Sequence, residues 1–172
     1  PEKETFEVIL YPTDDTQASQ ISPNRNWGSR TILGIRDNDP DDKIGFMKFD
    51  LSEIPTGATI NAATLNLTVT ATQFSSGGTV EMELADADWS EDTLNWNNMP
   101  GSDGNITTFS GNSTGDKEIT LTSTVTDWWD GTTSNYGVRL QLNITDVDKD
   151  MNIATKEAAT GKPYLKVTYS MV

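Results

Sequence analysis

Apolar and polar residues alternate with a period of two along much of the chain. In Ala63–Thr70, for example, Leu65, Leu67 and Val69 fall on one face, and threonine and asparagine occupy the other. Such alternation is typical of antiparallel strands that bury one face and expose the other. Similar patterns predict further strands at Phe6–Tyr11, Thr31–Ile35, Ile44–Leu51, Val80–Leu84, Glu118–Leu121, Val138–Ile144 and Leu165–Tyr169.

Helical patterning is scarce by comparison. The best candidate is a short turn from about Thr124 to Trp129, with Ser123 or Thr124 placed to cap its start and Gly131 placed to cap its end. The pattern therefore predicts an all-β fold, an antiparallel jelly-roll-like β-sandwich of about eight or nine strands with one short helical turn. The 172 residues contain no evident linker, so we expect one domain.

The charge balance narrows the choice of partners. The chain carries 26 acidic and 12 basic residues, for a net charge of −14. Phosphate groups would repel such a chain, which argues against nucleic acid and anionic membranes as partners. No apolar run approaches the ~20 residues needed to cross a bilayer, so membrane insertion is not expected.

The absence of certain residue types narrows the chemistry. With no Cys and no His, the chain lacks disulfides, thiol catalysis and imidazole or thiolate metal sites. The 17 Asp residues exceed the 9 Glu residues, and Asp favours turns and sites for hard cations. Calcium is therefore the cofactor that the composition favours. Solubility in a salty or extracellular setting is an equally good explanation of the charge.

An ordered series of motifs gives a more specific indication. It includes a Pro-Asn-x-Asn-aromatic-Gly loop, a Phe-Asp-Leu-Ser-x-Ile-Pro-x-Gly-Ala-x-Ile step and a Trp-Ser-Glu-x-Thr-x-x-Trp-x-x-x-Pro segment. From Leu10 to Tyr169 the series resembles a DNRLRE-type module, a family of extracellular β-sandwiches in carbohydrate-binding and cell-surface proteins. The matching segments are Tyr11–Thr16, Ser22–Ser29, Lys48–Ile60, Trp89–Pro100, Thr124–Gly131, Asn135–Leu140, Glu157 and Lys162–Tyr169.

The resemblance implies a polysaccharide or cell-surface glycan as the partner. Aromatic side chains bind the apolar faces of sugar rings, and Trp27, in a polar loop, is the best exposed candidate. Of the adjacent Trp128 and Trp129, one is expected in the core and the other near the surface. Tyr136 and Arg139 complete the predicted carbohydrate-binding set. Trp89 and Trp96 are instead expected to pin a long loop onto the sandwich.

Three acidic segments are candidate calcium sites. The preferred one is the opening loop with Asp14, Asp15, Asn24 and Asn26, whose oxygens flank a turn. A second is the loop tip at 37–42. The third has the ligand spacing of a calcium loop, although Met151 stands where such a loop needs glycine, so a solvated acidic hairpin is the alternative. Its ligands would be Asp146, Asp148, Asp150 and Glu157.

The leading interpretation is a non-catalytic, calcium-supported carbohydrate-binding module, extracellular or on the cell surface. A glycoside hydrolase needs two carboxyl groups at a defined separation in a cleft, and short connections leave little room to build one. The alternative is a structural or adhesive surface module that associates with copies of itself through edge strands. A polar N-terminal arm at Pro1–Thr5 would suit that role.

Overall fold

The computed structural model of the protein describes residues 2–74, 78–143 and 150–172. Within these ranges it has eleven strands and one helix. The elements are β1 (Glu4–Leu10), β2 (Asp14–Ser19), β3 (Ile32–Arg36), β4 (Lys43–Lys48), β5 (Thr59–Thr72), β6 (Thr79–Ala85), β7 (Ser102–Ser110), β8 (Gly115–Thr120), α1 (Thr122–Asp130), β9 (Val138–Asn143), β10 (Asp150–Ala154) and β11 (Tyr164–Met171).

The strands form one curled antiparallel sheet in two halves. Its order is β1-β11-β5-β10-β3-β4-β9-β6-β7, with β2 paired to β4 and β8 paired to β5. Strands β3 and β4 share a single register pair, Arg36 with Lys43, and there the sheet passes from one half to the other. The first half holds β1, β3, β5, β8, β10 and β11, and the second holds β2, β4, β6, β7 and β9. The predicted all-β sandwich is confirmed.

The main core lies between the two halves. Leu65, Leu67 and Val69 of β5 are buried in the same cluster as Leu140 and Leu142 of β9. Each inward side chain of this size contributes about 1.5–3 kcal/mol when fully buried. The inward faces expected from the alternation of β5 and β9 are therefore confirmed.

Three strands were not predicted. β2 and β7 lack the expected alternation, whereas β10 alternates, with Met151 and Ile153 buried, but falls in the segment interpreted as a calcium loop. β2 is polar yet buried: Thr16, Gln17 and Ser19 are each 1% exposed. Buried polar side chains are tolerated when they form hydrogen bonds. Gln17 Oε1, for example, accepts a hydrogen bond from the Gly34 amide at 2.5 Å. β7 is mostly exposed and has no regular alternation. β10 has only five residues, which include the predicted calcium ligand Asp150.

The helix is nine residues long rather than the predicted six. It begins at Thr122, with Leu121 in the capping position and no side-chain capping bond, so the expected cap at Ser123 or Thr124 is wrong. Gly131 ends the helix in the left-handed conformation at φ 80°, as predicted. Within the described ranges, no helix has the length and apolar character to cross a membrane.

A long connection covers the outer face of the second half. Residues 86–101 join β6 to β7, and we call them the roof segment. Trp89 and Leu94 of this segment form a second buried cluster with Phe46 of β4, whose ring lies 5.6 Å from that of Trp89. Trp96 packs against the same cluster, so the prediction that Trp89 and Trp96 pin a long loop is confirmed.

Candidate functional site

Three carboxylates from distant parts of the chain meet at the edge of the roof segment. Asp15 comes from β2, Glu91 from the roof segment and Glu157 from the connection between β10 and β11. One oxygen of each lies within 4.8 Å of the others. We call these three residues the acidic cluster. It is the only such group of three potential metal ligands within the described ranges.

Backbone hydrogen bonds hold the acidic cluster in place. The Asp15 amide donates to Glu91 Oε2 at 3.0 Å, and the Glu91 amide donates to Asp14 Oδ2 at 3.0 Å. The Lys156 amide donates to Asp15 Oδ2 at 2.8 Å. The roof segment and β2 are thus joined by reciprocal bonds between carboxylates and amides, which are stronger than neutral hydrogen bonds.

Lys156 neutralises part of this charge. Its Nζ lies 2.6 Å from Glu91 Oε1 and 2.9 Å from Glu157 Oε1. Hydrogen bonds to Glu91 and then to Glu157 raise the pKa of Lys156, so its ammonium stays charged at neutral pH. The lysine therefore occupies the position that a cation would take between these two carboxylates.

Asp15 is the most perturbed member. It is 1% exposed, and burial raises the pKa of its carboxyl to about 8. The bond from the Lys156 amide lowers this pKa, and the charges of Glu157 and Glu91 raise it further. Asp15 Oδ1 and Glu157 Oε2 are buried, and neither has a hydrogen-bond donor within the described ranges. A shared proton or a hard cation would satisfy both oxygens, and carboxylate oxygens are ligands of the kind that calcium takes.

The other residues of the predicted opening-loop site have different partners. Asn24 Oδ1 accepts a bond from Asn97 Nδ2 at 2.7 Å. Asn26 Nδ2 donates to the carbonyl oxygens of Glu91 and Leu94, at 2.5 and 2.9 Å. Together with Asp14, these side chains fix the roof segment. Of the preferred set, the structure brings only Asp15 to the acidic cluster.

The predicted calcium loop is divided between two places. Asp150 begins β10, and its Oδ2 lies 3.6 Å from Lys43 Nζ. Glu157 belongs to the acidic cluster. Asp146 and Asp148 lie outside the described residues. Asp41 of the 37–42 loop forms an ion pair with Arg36, the last residue of β3, at 2.9 Å.

A groove of about 880 Å³ lies on the outer face of the first half. The floor of the groove is formed by the paired strands β8, β5 and β11, in which Asn66 of β5 pairs with Glu118 of β8 and with Tyr164 of β11. Further along β5, the Thr68 hydroxyl bonds to Asp116 Oδ1 at 3.0 Å. The groove is lined, among others, by Tyr11, Asn66, Thr68, Asp116, Glu118, Lys156, Lys162 and Tyr164.

The groove combines two tyrosine rings with hydrogen-bonding side chains. Tyr11 directly follows β1 and is 58% exposed, and Tyr164 begins β11. Because Leu10 pairs with Leu165, the two tyrosines lie at the same end of the β1–β11 ladder. Lys156 lines the groove as well as the acidic cluster, so the two sites share a wall.

The predicted platform Trp27 lies elsewhere and is half-buried. The Arg25 guanidinium carbon stands 3.8 Å from the centre of its ring, and that of Arg30 stands at 5.3 Å. Its indole nitrogen is buried without a hydrogen-bond partner among the described residues. The ring thus already forms a cation–π contact.

The other predicted sugar contacts are also outside the groove. Trp128 is buried in the main core, whereas Trp129 is half-buried and its Nε1 donates to the Ala58 carbonyl at 3.3 Å, so the expected division between them is confirmed. Tyr136 packs beside the roof segment. Arg139 forms an ion pair with Glu83 at 2.6 Å.

Sequence reasoning missed Glu91 and the two groove tyrosines. A signal for Tyr164 was present, because Leu165 and Val167 point inward and their neighbours Tyr164 and Lys166 must point outward. Glu91 stands in the Trp-Ser-Glu-x-Thr motif, but nothing in that motif predicts that the roof segment folds onto β2 and brings Glu91 to Asp15.

No curated protein matches the chain. The model of carbohydrate-binding module family 96 matches residues 7–169, a range that contains the groove and the acidic cluster. This match supports a carbohydrate-binding family and leaves the DNRLRE label without confirmation. The chain belongs to carbohydrate-binding module family 96.

Proposed function

We propose that the protein is a non-catalytic, extracellular carbohydrate-binding module and that the groove is its binding face. The observation that carries this proposal is the presence of Tyr11 and Tyr164 beside hydrogen-bonding side chains on one open face of a sheet. Tyrosine rings stack on the apolar faces of sugars, and amides, hydroxyls and carboxylates bind their hydroxyl groups.

The groove suits this role better than the loop of Trp27. A sugar that stacked on the Arg25 side of the Trp27 ring would have to displace a guanidinium 3.8 Å from the ring centre. Tyr11 has no such cover, since more than half of its surface is exposed. The floor of the groove also lies on the paired strands β5, β8 and β11, and paired strands hold side chains more rigidly than a loop does.

Substitution of the tyrosines tests the binding face. We expect Tyr164→Ala and Tyr11→Ala each to weaken polysaccharide binding at least tenfold, with a melting temperature close to that of the parent protein. Trp27→Ala is the matched control and should leave affinity unchanged. Titration calorimetry and thermal melts on the same samples measure both quantities. Loss of affinity in the tryptophan variant alone would move the binding face to that loop.

We also propose that calcium supports the fold through the acidic cluster. Asp15, Glu91 and Glu157 supply the hard oxygen ligands, and two of their buried oxygens have no donor among the residues that the structure describes. Lys156 would have to give up its two ion pairs, so the ion and the ammonium compete for the same oxygens. Calcium here would tie β2 to the roof segment.

Melting in chelator and in millimolar calcium tests this second proposal. At 100 times its dissociation constant, calcium adds about 2.7 kcal/mol to the free energy of unfolding. Asp15→Asn should remove the stabilisation by calcium. Asp150→Asn should retain it, because the Asp150 carboxylate of the parent protein pairs with Lys43 and lies outside the acidic cluster. A melting temperature that calcium leaves unchanged in the parent protein would contradict the proposal.

Self-association through an edge strand remains the alternative function. The observation that favours it is that β1 ends the strand order and, among the described residues, pairs on one side only, with β11. Glu4 and Glu7 on this strand oppose pairing with a copy of themselves. Light scattering over a range of concentrations separates the two functions, because a binding module of this kind is expected to stay monomeric.

A further inference from the structure

We infer that the groove selects uncharged polysaccharides over uronic-acid polysaccharides, a conclusion that rests on the proposed function. The decisive feature is which charged groups reach the groove. Asp116 and Glu118 line one wall, and Lys156 and Lys162 line the other side. Two carboxylates thus face two ammonium groups, but the two lysines are not equally available to a ligand.

Lys156 is already committed to carboxylates of the protein. Its Nζ is held at 2.6 and 2.9 Å by Glu91 and Glu157, and those two charges outweigh its own. Lys162 is the one lysine lining the groove without an ion pair within the described ranges, and it is exposed. A polysaccharide with a carboxylate on every ring would therefore meet one available ammonium and two carboxylates.

Arginine, the side chain best suited to carboxylates, is absent from the groove lining in the part of the chain that the structure describes. A guanidinium binds a carboxylate through two parallel hydrogen bonds, which an ammonium cannot do. The four arginines are all engaged elsewhere: Arg25 and Arg30 beside Trp27, Arg36 with Asp41 and Arg139 with Glu83. The net charge of −14 adds a long-range repulsion of anionic chains.

The remaining lining suits hydroxyl groups. The Glu118 carboxylate accepts no hydrogen bond within the described ranges and is free to accept one from a sugar hydroxyl, whereas Asp116 Oδ1 already accepts one from Thr68. Asn66 can both donate and accept, and Tyr164 supplies a ring beside it. Acceptors of this kind match a hydroxyl-rich, uncharged sugar, whereas they repel a uronate.

Matched polymers that differ only in charge give the sharpest test. Alginate is compared with carboxyl-reduced alginate, and polygalacturonate is compared with its methyl ester. Neutral xylan and glucan are also tested. Binding is measured by affinity electrophoresis and by calorimetry, with a chelator present. We expect binding to at least one uncharged polymer and at least tenfold weaker binding to each charged partner. A Glu118→Lys variant should narrow this gap by at least fivefold, and Glu53→Lys, at an exposed position outside the groove lining, is its control.

The outcomes separate this inference from the function beneath it. Strong binding of alginate or polygalacturonate that Tyr164→Ala abolishes would overturn the preference and leave the groove as the binding face. Uronate binding that appears only with calcium and disappears in Asp15→Asn would also overturn it, because the acidic cluster would then bridge the ligand. Binding that neither groove tyrosine affects would overturn the proposed function itself.

Discussion

The two outer faces of the sandwich obey the same alternation but end up in different environments. On the second half, the outward residues Ile44 and Phe46 of β4 are apolar, and the roof segment buries them. On the first half, the outward residues Asn66 and Thr68 of β5 are polar, and the face stays open as the groove. The character of the outward positions thus decides whether a face becomes a second core or a binding surface.

The same contrast changes how the aromatic residues are interpreted. Trp89 has the larger ring, but it is 8% exposed and donates its indole hydrogen to the Tyr136 carbonyl at 2.7 Å. Tyr11 is 58% exposed on the open face. Aromatic content alone therefore says little about sugar binding, and the face on which a ring lies says much more.

The largest effect is expected from the covered face. Trp89→Ala removes the ring that packs on Phe46 and should reduce the free energy of unfolding by about 3–5 kcal/mol. Urea denaturation measures this loss. Polysaccharide affinity of the fraction that remains folded should change far less, because Tyr11 and Tyr164 of the groove lie on the other half. A loss of less than 1 kcal/mol would contradict the role given to the roof segment.

The acidic cluster, which joins the roof segment to β2, should give a pH effect of intermediate size. In chelator, folded Asp15 keeps its proton up to a pKa of about 8, whereas the unfolded chain releases it near 3.8. Its contribution is therefore greatest at low pH and declines as pH rises from about 4 to 8. The slope is about 1.4 kcal/mol per pH unit, or roughly 3 kcal/mol between pH 5 and pH 7.

Other carboxylates also titrate in this range, so the comparison must be made with a variant. Asp15→Asn should lack this component, and the difference in unfolding free energy between the parent protein and the variant should fall steadily between pH 5 and pH 7. Denaturant titrations at several pH values in chelator measure it. Two parallel curves would show that Asp15 has an ordinary pKa in the folded protein.

The smallest effect concerns the open face. Gly161 has φ +75°, and an added Cβ would lie 3.1–3.2 Å from the side chain of Thr68 in the groove. Gly161→Ala should destabilise the protein by about 1 kcal/mol and weaken polysaccharide binding several-fold. Gly57 is the matched control, since its φ is +87° and no atom lies within 4 Å of the added Cβ. Equal affinity in both variants would remove Thr68 from the binding surface.

Most strands that bury one apolar face were predictable, although the short β10, with Met151 and Ile153 buried, was missed. The fold was also not predictable at β2, where Gln17 is buried through a hydrogen bond to the Gly34 amide and leaves no hydrophobic signal. Two of the three residues of the acidic cluster were predicted as calcium ligands, but the sequence places Asp15 and Glu157 in two separate candidate sites. Their meeting depends on contacts across more than a hundred residues, such as the bond from the Lys156 amide to Asp15, which local patterns do not encode.

The register of β1 on β11 has a mechanical consequence. Glu4 pairs with Met171 at one end of this ladder, and Leu10 pairs with Leu165 at the other, about 20 Å away. A force that separates residues 4 and 171 would load these hydrogen bonds one after another, as in opening a zipper, rather than all together in shear. Tyr11 and Tyr164 lie beyond the last pair to open, so tension that peels β1 from that end reaches the groove last.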